Sequence, residues 1–178
     1  MSREKIAMMP WARGEAAEPV DWEAVYRAEM PHIYNFFRYR LGDRDLAEDL
    51  TALTFEKAWR YRRRYRHDLA KYSTWLYSIA RNVATDHLRK HQQAALDLDA
   101  LATVADSGPD PTEAAQRRDD LRRLTALLGA LPPRDAELIA LKYGAGLTNR
   151  AIAQLTGLSE SNVGTILHRV VQKLREVW

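Results

Sequence analysis

Apolar residues recur at steps of three or four along most of the chain, and this period restricts the fold more than any other feature of the sequence. The first stripe is formed by Trp22, Tyr26, Met30, Ile33 and Phe37. Further stripes comprise Leu46, Leu50 and Leu53; Leu76, Ile79, Ala80 and Val83; Leu121, Leu124, Leu128 and Leu131; and Val163, Ile166, Val170, Leu174 and Val177. No segment alternates strictly over a length typical of a strand. The pattern predicts an all-α protein.

Glycine, proline and hydroxyl residues mark where these helices should begin and end. Pro31 is expected to break or kink the first helix because proline lacks the backbone N–H, and Gly42 is expected to end it. Residues 61–71 keep no helical period and are predicted to form a basic loop. Ser73 or Thr74 should then cap the third helix.

Composition changes after Lys90. Residues 91–115 are rich in Ala, Asp, Gln and Pro, contain no aromatic residue and include the breaker Ser107 to Pro111. Such a stretch buries little apolar area, so it is predicted to be a flexible linker. Its acidic residues are Asp97, Asp99, Asp106, Asp110 and Glu113. The predicted organisation is an arm (1–20), a first helical domain (21–90), the linker (91–115) and a second helical domain (116–178).

Several classes of protein are excluded. The chain has no cysteine, which rules out disulfides, thiolate metal sites and a cysteine nucleophile. Residues 1–17 carry charges around no apolar core, so no signal peptide is predicted. No uncharged apolar run is long enough to span a bilayer. We therefore expect a cytoplasmic protein with no membrane insertion.

Two histidines raise the question of a metal site. His87 and His91 stand four apart, a spacing that could place two ligands on one helix face. The nearest carboxylate, Asp86, falls on another face, so phosphate or solvent is the preferred neighbour of the pair. The sequence also shows no nucleophile beside an obvious base and no glycine-rich phosphate loop. We predict no catalytic residue, no metal and no cofactor, and hence no enzyme.

Positive charge is concentrated in one segment. Residues 57–90 hold ten lysines and arginines against Asp68 and Asp86, a local charge of +8, whereas the whole chain carries +3. The rest of the chain therefore carries a net charge of −5. A local basic patch indicates a polyanionic partner.

Residues 147–163 have the spacing of a helix-turn-helix. Ala153 is small where the two helices cross, and Gly157 supplies the turn. The side chains expected to point outward and read base edges are Ser159, Glu160, Ser161, Asn162 and Thr165. The predicted DNA-binding set also contains Thr148, which caps the first helix of the motif, and the phosphate-binding candidates Arg150, Arg169 and Lys173. An ordinary helical hairpin is the alternative.

Aromatic rings alternate with cations in the basic segment. Rings stack on unpaired bases, so the segment indicates melted nucleic acid rather than duplex alone. The predicted set is Arg60, Tyr61, Arg62, Arg63, Arg64, Tyr65, Arg66, Lys71, Tyr72, Trp75, Arg89 and Lys90. For Trp75 and Tyr77 a place in the hydrophobic core is an equally good interpretation, and for Tyr61 and Tyr65 it is a weaker one.

The second helix has an acidic face opposite its leucines. Asp45, Glu48, Asp49 and Glu56 form this face. On composition it is either a solvated surface or a protein-docking surface.

Taken in order, these segments resemble the extracytoplasmic-function sigma factors of bacterial RNA polymerase. The resemblance runs from Trp22 to the C-terminus. Residues 45–60 resemble the family's polymerase-docking helix, residues 74–90 its −10-reading and melting helix, and residues 131–138 with the helix-turn-helix its −35-reading domain. The sequence departs from the family at Ala52-Leu53, where a Gln-Glu pair is common, and at residues 164–166, where Lys, Ser and Arg are frequent.

The resemblance implies a role and partners. The chain would bind core RNA polymerase, read the −35 and −10 elements of promoter DNA and help open the −10 DNA. The docking residues Asp45, Glu48, Asp49, Leu53 and Glu56 would bind the clamp coiled coil of the largest subunit. The second domain would contact the flap of the second-largest subunit. Asn82 would help hold a flipped base, and an anti-sigma factor would be a further partner.

Two other functions stay open on the sequence. A stand-alone helix-turn-helix regulator would bind its operator specifically without polymerase, although it has no use for base-stacking rings. A nucleic-acid-processing enzyme would need a carboxylate cluster for a metal, whereas the acidic residues here are spread over a helix face and a linker.

Overall fold

The structure, a computed structural model, describes residues 21–66, 71–97 and 123–178, and these stretches are helical without a strand. The helices are α1 (Trp22–Leu41), α2 (Arg44–Tyr61) with a 3-10 turn (Arg62–Arg64), α3 (Tyr72–Asp97), α4 (residues 123–129), α5 (Pro133–Ile139) with a π-helical turn (Ala140–Gly144), α6 (Asn149–Thr156) and α7 (Glu160–Val177). The all-α prediction is confirmed. The predicted arm and most of the predicted linker lie outside the described residues.

Side-chain and glycine caps set the ends of the first two helices. The Asp21 carboxylate accepts hydrogen bonds from two backbone N–H groups of the first turn of α1, both at 3.1 Å. Gly42 ends α1 in the left-handed region, with φ 76°, and its N–H donates to the Arg38 carbonyl at 2.9 Å. Asp43 then caps α2. The predicted end at Gly42 is confirmed.

The structure differs from the predictions at four boundaries. Helix α1 continues through Pro31, which is exposed and lies away from the buried Ile33. Residues 61–64 belong to α2 and the 3-10 turn instead of a loop, and α3 begins at Tyr72, just before the predicted caps. Helix α3 also passes the predicted domain end at Lys90, because the residues that follow are mostly good helix formers without glycine or proline.

One hydrophobic core runs through both halves of the chain. Its fully buried large side chains are Ile33, Phe36 and Phe37 of α1, Leu76 and Tyr77 of α3, and Leu138, Leu141, Ile152 and Val163 of the second half. The Phe36 ring centroid lies 5.2 Å from that of Phe37 and 6.2 Å from that of Tyr77. Tyr26, Met30 and Val177 were predicted to face inward but are exposed.

The π-helical turn packs directly on α1. A Cβ atom added to Gly144 would lie 2.7 Å from the Asn35 carbonyl oxygen, so a larger residue cannot fit without moving backbone. Next to this contact the Tyr77 hydroxyl donates to the Ala145 carbonyl at 3.5 Å. The two predicted domains are therefore packed against each other, an arrangement that the sequence did not reveal.

The shared core predicts a large loss of stability at Phe36. Replacing its fully buried ring by alanine leaves a cavity, so Phe36→Ala should lower the free energy of unfolding by about 3–5 kcal/mol. Tyr26→Ala is the matched control, since this ring on the same helix is 50% exposed. Urea unfolding followed by far-ultraviolet circular dichroism measures both changes. Equal losses would contradict a core that passes through Phe36.

Candidate nucleic-acid interface

Helices α6 and α7 form the predicted helix-turn-helix. Gly157 closes α6 with φ 74°, and its N–H donates to the Ala153 carbonyl at 2.9 Å. Ile152 of α6 and Val163 of α7 are completely buried and hold the two helices together. The outer surface of α7 is thereby fixed relative to α6.

Hydroxyl caps begin both helices, and the cap at Thr148 was predicted. The Thr148 hydroxyl accepts a hydrogen bond from the Ala151 N–H at 3.2 Å, and the Ser159 hydroxyl accepts one from the Asn162 N–H at 3.2 Å. Each cap satisfies one of the backbone donors that a helix N-terminus leaves unpaired. Ser159 therefore has a structural role at the position where it was predicted to contact a base.

The other predicted −35 residues lie on the exposed surface. They are Thr148, Arg150, Glu160, Ser161, Asn162, Thr165, Arg169 and Lys173. The Thr165 hydroxyl donates to the Ser161 carbonyl at 3.0 Å. Arg169 forms an ion pair with Asp135 of α5 at 3.2 Å. Because Arg169 is exposed, this pair contributes only about 0–1 kcal/mol and leaves the guanidinium available to a phosphate.

Two aromatic rings at the end of α2 each form a cation–π pair with an arginine. The Arg62 guanidinium lies 3.9 Å from the centroid of the Trp59 ring, and that of Arg64 lies 5.3 Å from the Tyr61 ring. Trp59 is 53% exposed and Tyr61 is half-buried. These cation–π pairs contribute about 0.5–1 kcal/mol each at an exposed site. They place planar cations and rings together on the surface.

Tyr65 is not an exposed loop ring, so that prediction is wrong. Its N–H bonds back to the Arg62 carbonyl at 3.2 Å, which turns the chain toward α3. The ring centroids of Tyr65, Tyr72 and Trp75 lie 5.1–5.5 Å apart, and Tyr65 and Trp75 are each only 5% exposed. Burial raises the pKa of both Tyr65 and Tyr72. Trp75 and Tyr77 are buried, as the interpretation of them as core residues predicts.

The remaining residues of the predicted −10 set surround this ring cluster or follow α3. Arg60, Arg63, Arg64, Lys71, Arg89 and Lys90 are exposed, and Arg66 and Asn82 are half-buried. Arg60 pairs with Glu56, and Arg89 lies 3.5 Å from Asp86. Asn82 follows Trp75, the nearest ring of the cluster along α3, by seven residues, a rise of about 10 Å. The predicted pocket residue is therefore separate from the ring cluster.

The acidic face of α2 points outward, as predicted. Asp45, Glu48, Asp49 and Glu56 are all exposed, whereas Leu53 is half-buried and packs on the core. Glu48 pairs with Arg44 at 3.2 Å, and Glu56 pairs with Arg60. The face is thus negatively charged but partly compensated within its own helix.

The histidine pair lies on α3. The ring centroids of His87 and His91 are 4.3 Å apart. Burial lowers the pKa of His87, and His91 and Lys90 lower it further. Within residues 21–66, 71–97 and 123–178, no group of three or more His, Asp or Glu side chains could hold a metal ion. None of the described helices is long and apolar enough to cross a membrane.

Sequence reasoning missed the polar contacts between the two halves. Arg81 of α3 donates from Nε to the Glu137 carboxylate at 2.8 Å and from Nη1 to the Leu155 carbonyl. Arg81 and Glu137 are 56 residues apart, and neither belongs to a local motif. In the sequence, Arg81 was noted only as one of the ten lysines and arginines of residues 57–90.

Comparison with known proteins identifies the family. The family model for Sigma-70 region 2 matches residues 25–94, and that for Sigma-70 region 4 matches residues 121–174. The chain is 31% identical over 158 residues to RNA polymerase sigma factor CarQ of Myxococcus xanthus, covering 88% of each chain. It is 27% identical over 157 residues to ECF RNA polymerase sigma factor SigM of Bacillus subtilis, covering 88% of this chain and 94% of SigM.

A solved structure shares the fold. The sigma factor RpoE from Bartonella quintana, solved in complex with the anti-sigma factor NepR, matches with a TM-score of 0.71 and 22% identity. The match covers 88% of this chain and 95% of that chain. The two family regions and the similarity to CarQ show that the chain belongs to the extracytoplasmic-function sigma factors, which direct promoter-specific transcription initiation by RNA polymerase.

Proposed function

We propose that the two halves divide promoter recognition. Helices α6 and α7 read the −35 element, and the surface formed by the end of α2, the 3-10 turn and α3 reads and opens the −10 element. The observation that carries this proposal is the pairing of surface arginines with rings at residues 59–64, at the edge of a domain that belongs to the region-2 family. Duplex binding alone requires the cations but not the rings.

The −35 contacts are assigned to the first turns of α7. Asn162 and Ser161 are exposed there, and amide and hydroxyl groups pair with base edges in the major groove. Arg150 and Lys173 lie on the flanking surface and suit phosphates, which set the register of the protein on DNA.

The −10 contacts are assigned to the rings of Trp59 and Tyr61 with Arg62 and Arg64. Opening a duplex costs a few kcal/mol per disrupted step, and stacking a released base on a ring returns about 1–3 kcal/mol. Arginines beside the rings hold the backbone of the same strand. Melting is thereby supported by capture of the separated bases.

The partners follow from the same division. The acidic face of α2 docks on the clamp coiled coil of the polymerase's largest subunit, and the second domain contacts the flap of the second-largest subunit. An anti-sigma factor restrains the protein, an assignment supported by the fold shared with RpoE, which was solved with such a partner. The protein acts in the cytoplasm without cofactor and without catalytic activity of its own.

Promoter binding requires the two halves to separate. Elements centred at −35 and −10 are 25 base pairs apart, or about 85 Å along the duplex. A compact protein of 178 residues has a radius of gyration of only about 16 Å. The 25 residues between α3 and residue 123 reach about 85 Å when fully extended. The packed arrangement therefore cannot contact both elements at once, whereas a separated one can.

The first prediction tests the function itself. Alone, the chain should bind DNA weakly and with strong salt dependence, because two small domains on a linker cooperate only when their spacing is fixed. With core polymerase it should initiate at discrete positions on a duplex library randomised at −35 and −10, as measured by sequencing transcript ends. Core alone is the control. Tight operator binding by the free chain at physiological salt would instead identify a stand-alone regulator.

The second prediction tests the docking surface. Asp49→Lys should weaken the affinity for core polymerase severalfold, because it reverses an exposed charge on the acidic face. Glu23→Lys makes the same carboxylate-to-ammonium change on an exposed position of α1, and should leave the affinity unchanged. Competition against fluorescent wild-type protein for core measures both. If the two variants compete equally well, α2 does not form the docking surface.

The third prediction separates melting from packing. Tyr61→Ala should reduce open-complex formation on duplex by about 5- to 150-fold, and the defect should shrink on a template mismatched across −10. Tyr65→Ala is the contrast, since loss of a buried ring impairs both templates alike. Permanganate reactivity of the unpaired thymines reports opening. An equal defect of Tyr61→Ala on both templates would show that Tyr61 serves packing alone.

A further inference from the structure

The polar centre of the contact between the two halves is a single carboxylate. Glu137 of α5 accepts a hydrogen bond from Arg81 Nε at 2.8 Å, and the two side chains are only 20% and 23% exposed. Arg81 is held further by the Leu155 carbonyl of α6. A largely enclosed guanidinium is stabilised by such charged and polar partners.

A second arginine of the first half is within the field of the same carboxylate. Arg40 of α1 is half-buried. Burial lowers its pKa, and the charge of Glu137 raises it. Glu137 thus acts electrostatically on two guanidinium groups, one on α1 and one on α3. Arg81 makes the direct contact with this anion, and Arg40 feels its charge from farther away.

Separation of the halves removes that anion. The requirement for separation rests on the proposed function, since the packed arrangement cannot reach both promoter elements. Once Glu137 withdraws, Arg40 and Arg81 remain on the first half beside the predicted −10 surface. A phosphate satisfies guanidinium groups in the same planar, charge-assisted geometry as a carboxylate does.

We propose that Arg81 forms a binding site for a backbone phosphate of promoter DNA, with Arg40 adding positive charge at longer range, and that Glu137 occupies this site while the two halves are packed together. DNA is favoured over an acidic protein partner because Arg81 lies on α3, next to Asn82 and on the helix that bears Arg89 and Lys90. The segment from 57 to 90 carries a charge of +8, which already attracts a polyanion.

Glu137 competes with a DNA phosphate for the same guanidinium site. Packing of the halves and binding of the phosphate then exclude each other. Any change that withdraws Glu137 should raise DNA affinity, and any change that removes the arginines should lower it in the separated protein. These two classes of variant are therefore expected to have opposite effects on DNA binding, although both loosen the packing.

A variant at Gly144 separates the halves without altering a charge. The new Cβ atom of Gly144→Ala would meet the backbone of α1 at 2.7 Å, so the π-helical turn has to move away. Glu137→Gln removes the anion without a steric change, and covers the case in which Gly144→Ala fails to fold. Because the chain has no cysteine, Ala28→Cys and Gln172→Cys on exposed positions accept two dyes, and energy transfer between them should fall in both variants.

DNA binding is then measured with a short mixed-sequence duplex over a range of salt concentrations. Glu137→Gln and Gly144→Ala should bind more tightly than wild type. Adding Arg81→Ala to Gly144→Ala should weaken binding severalfold and reduce the salt slope by about 1, the signature of one lost phosphate contact, whereas adding Arg40→Ala should weaken binding less. Arg27→Ala, which removes an exposed arginine from α1, is the matched control and should change neither energy transfer nor salt slope.

The outcomes separate the two proposals. An unchanged slope in the Arg81 variant would overturn the phosphate site, even if core-dependent initiation is intact. A reduced slope without core-dependent initiation would uphold the site and overturn the promoter function. Displacement of Glu137 by an acidic peptide but not by DNA, with energy transfer as the readout, would assign the arginines to a protein partner and overturn the proposal.

Discussion

The seating of the π-helical turn on α1 is the contact on which the arrangement of the whole molecule depends. Gly144 brings backbone against backbone at Asn35, and this approach lets Phe36 and Tyr77 share one core with Leu141. Without a side chain at residue 144 the two halves meet closely enough for Arg81 to reach Glu137. Steric fit comes first, and the polar contacts of the interface follow from it.

Much of the local structure could be predicted because the signals were local. Gly42 and Gly157 end helices with positive φ, and Thr148 caps α6 through its hydroxyl. The apolar period of three to four identified Ile33, Leu76 and Val163 as core residues. These features depend on a few neighbouring residues, so a single sequence is enough to find them.

The wrong predictions concern residues whose environment is set by contacts with distant parts of the chain. Tyr65 looked like a loop residue because its segment has no helical period, but a 3-10 turn brings it onto Trp75. Nothing in the sequence near Gly144 or Glu137 indicates that they face α1 and α3. Charge and composition were enough to predict the nucleic-acid surface. Which of its rings are exposed and which are buried could be decided only from the fold.

The length of α3 alters how the first half is tethered to the second. The helix continues seven residues beyond Lys90, to Asp97, and so carries the chain about 10 Å along a rigid axis. The same residues fully extended would cover roughly 24 Å. The tether is thus shorter by about 14 Å than its residue count suggests. It leaves the first half in the direction of the helix axis. The end of α3 is therefore the point from which the remaining chain must reach upstream DNA, and the orientation of α3 on the polymerase sets the position of that point.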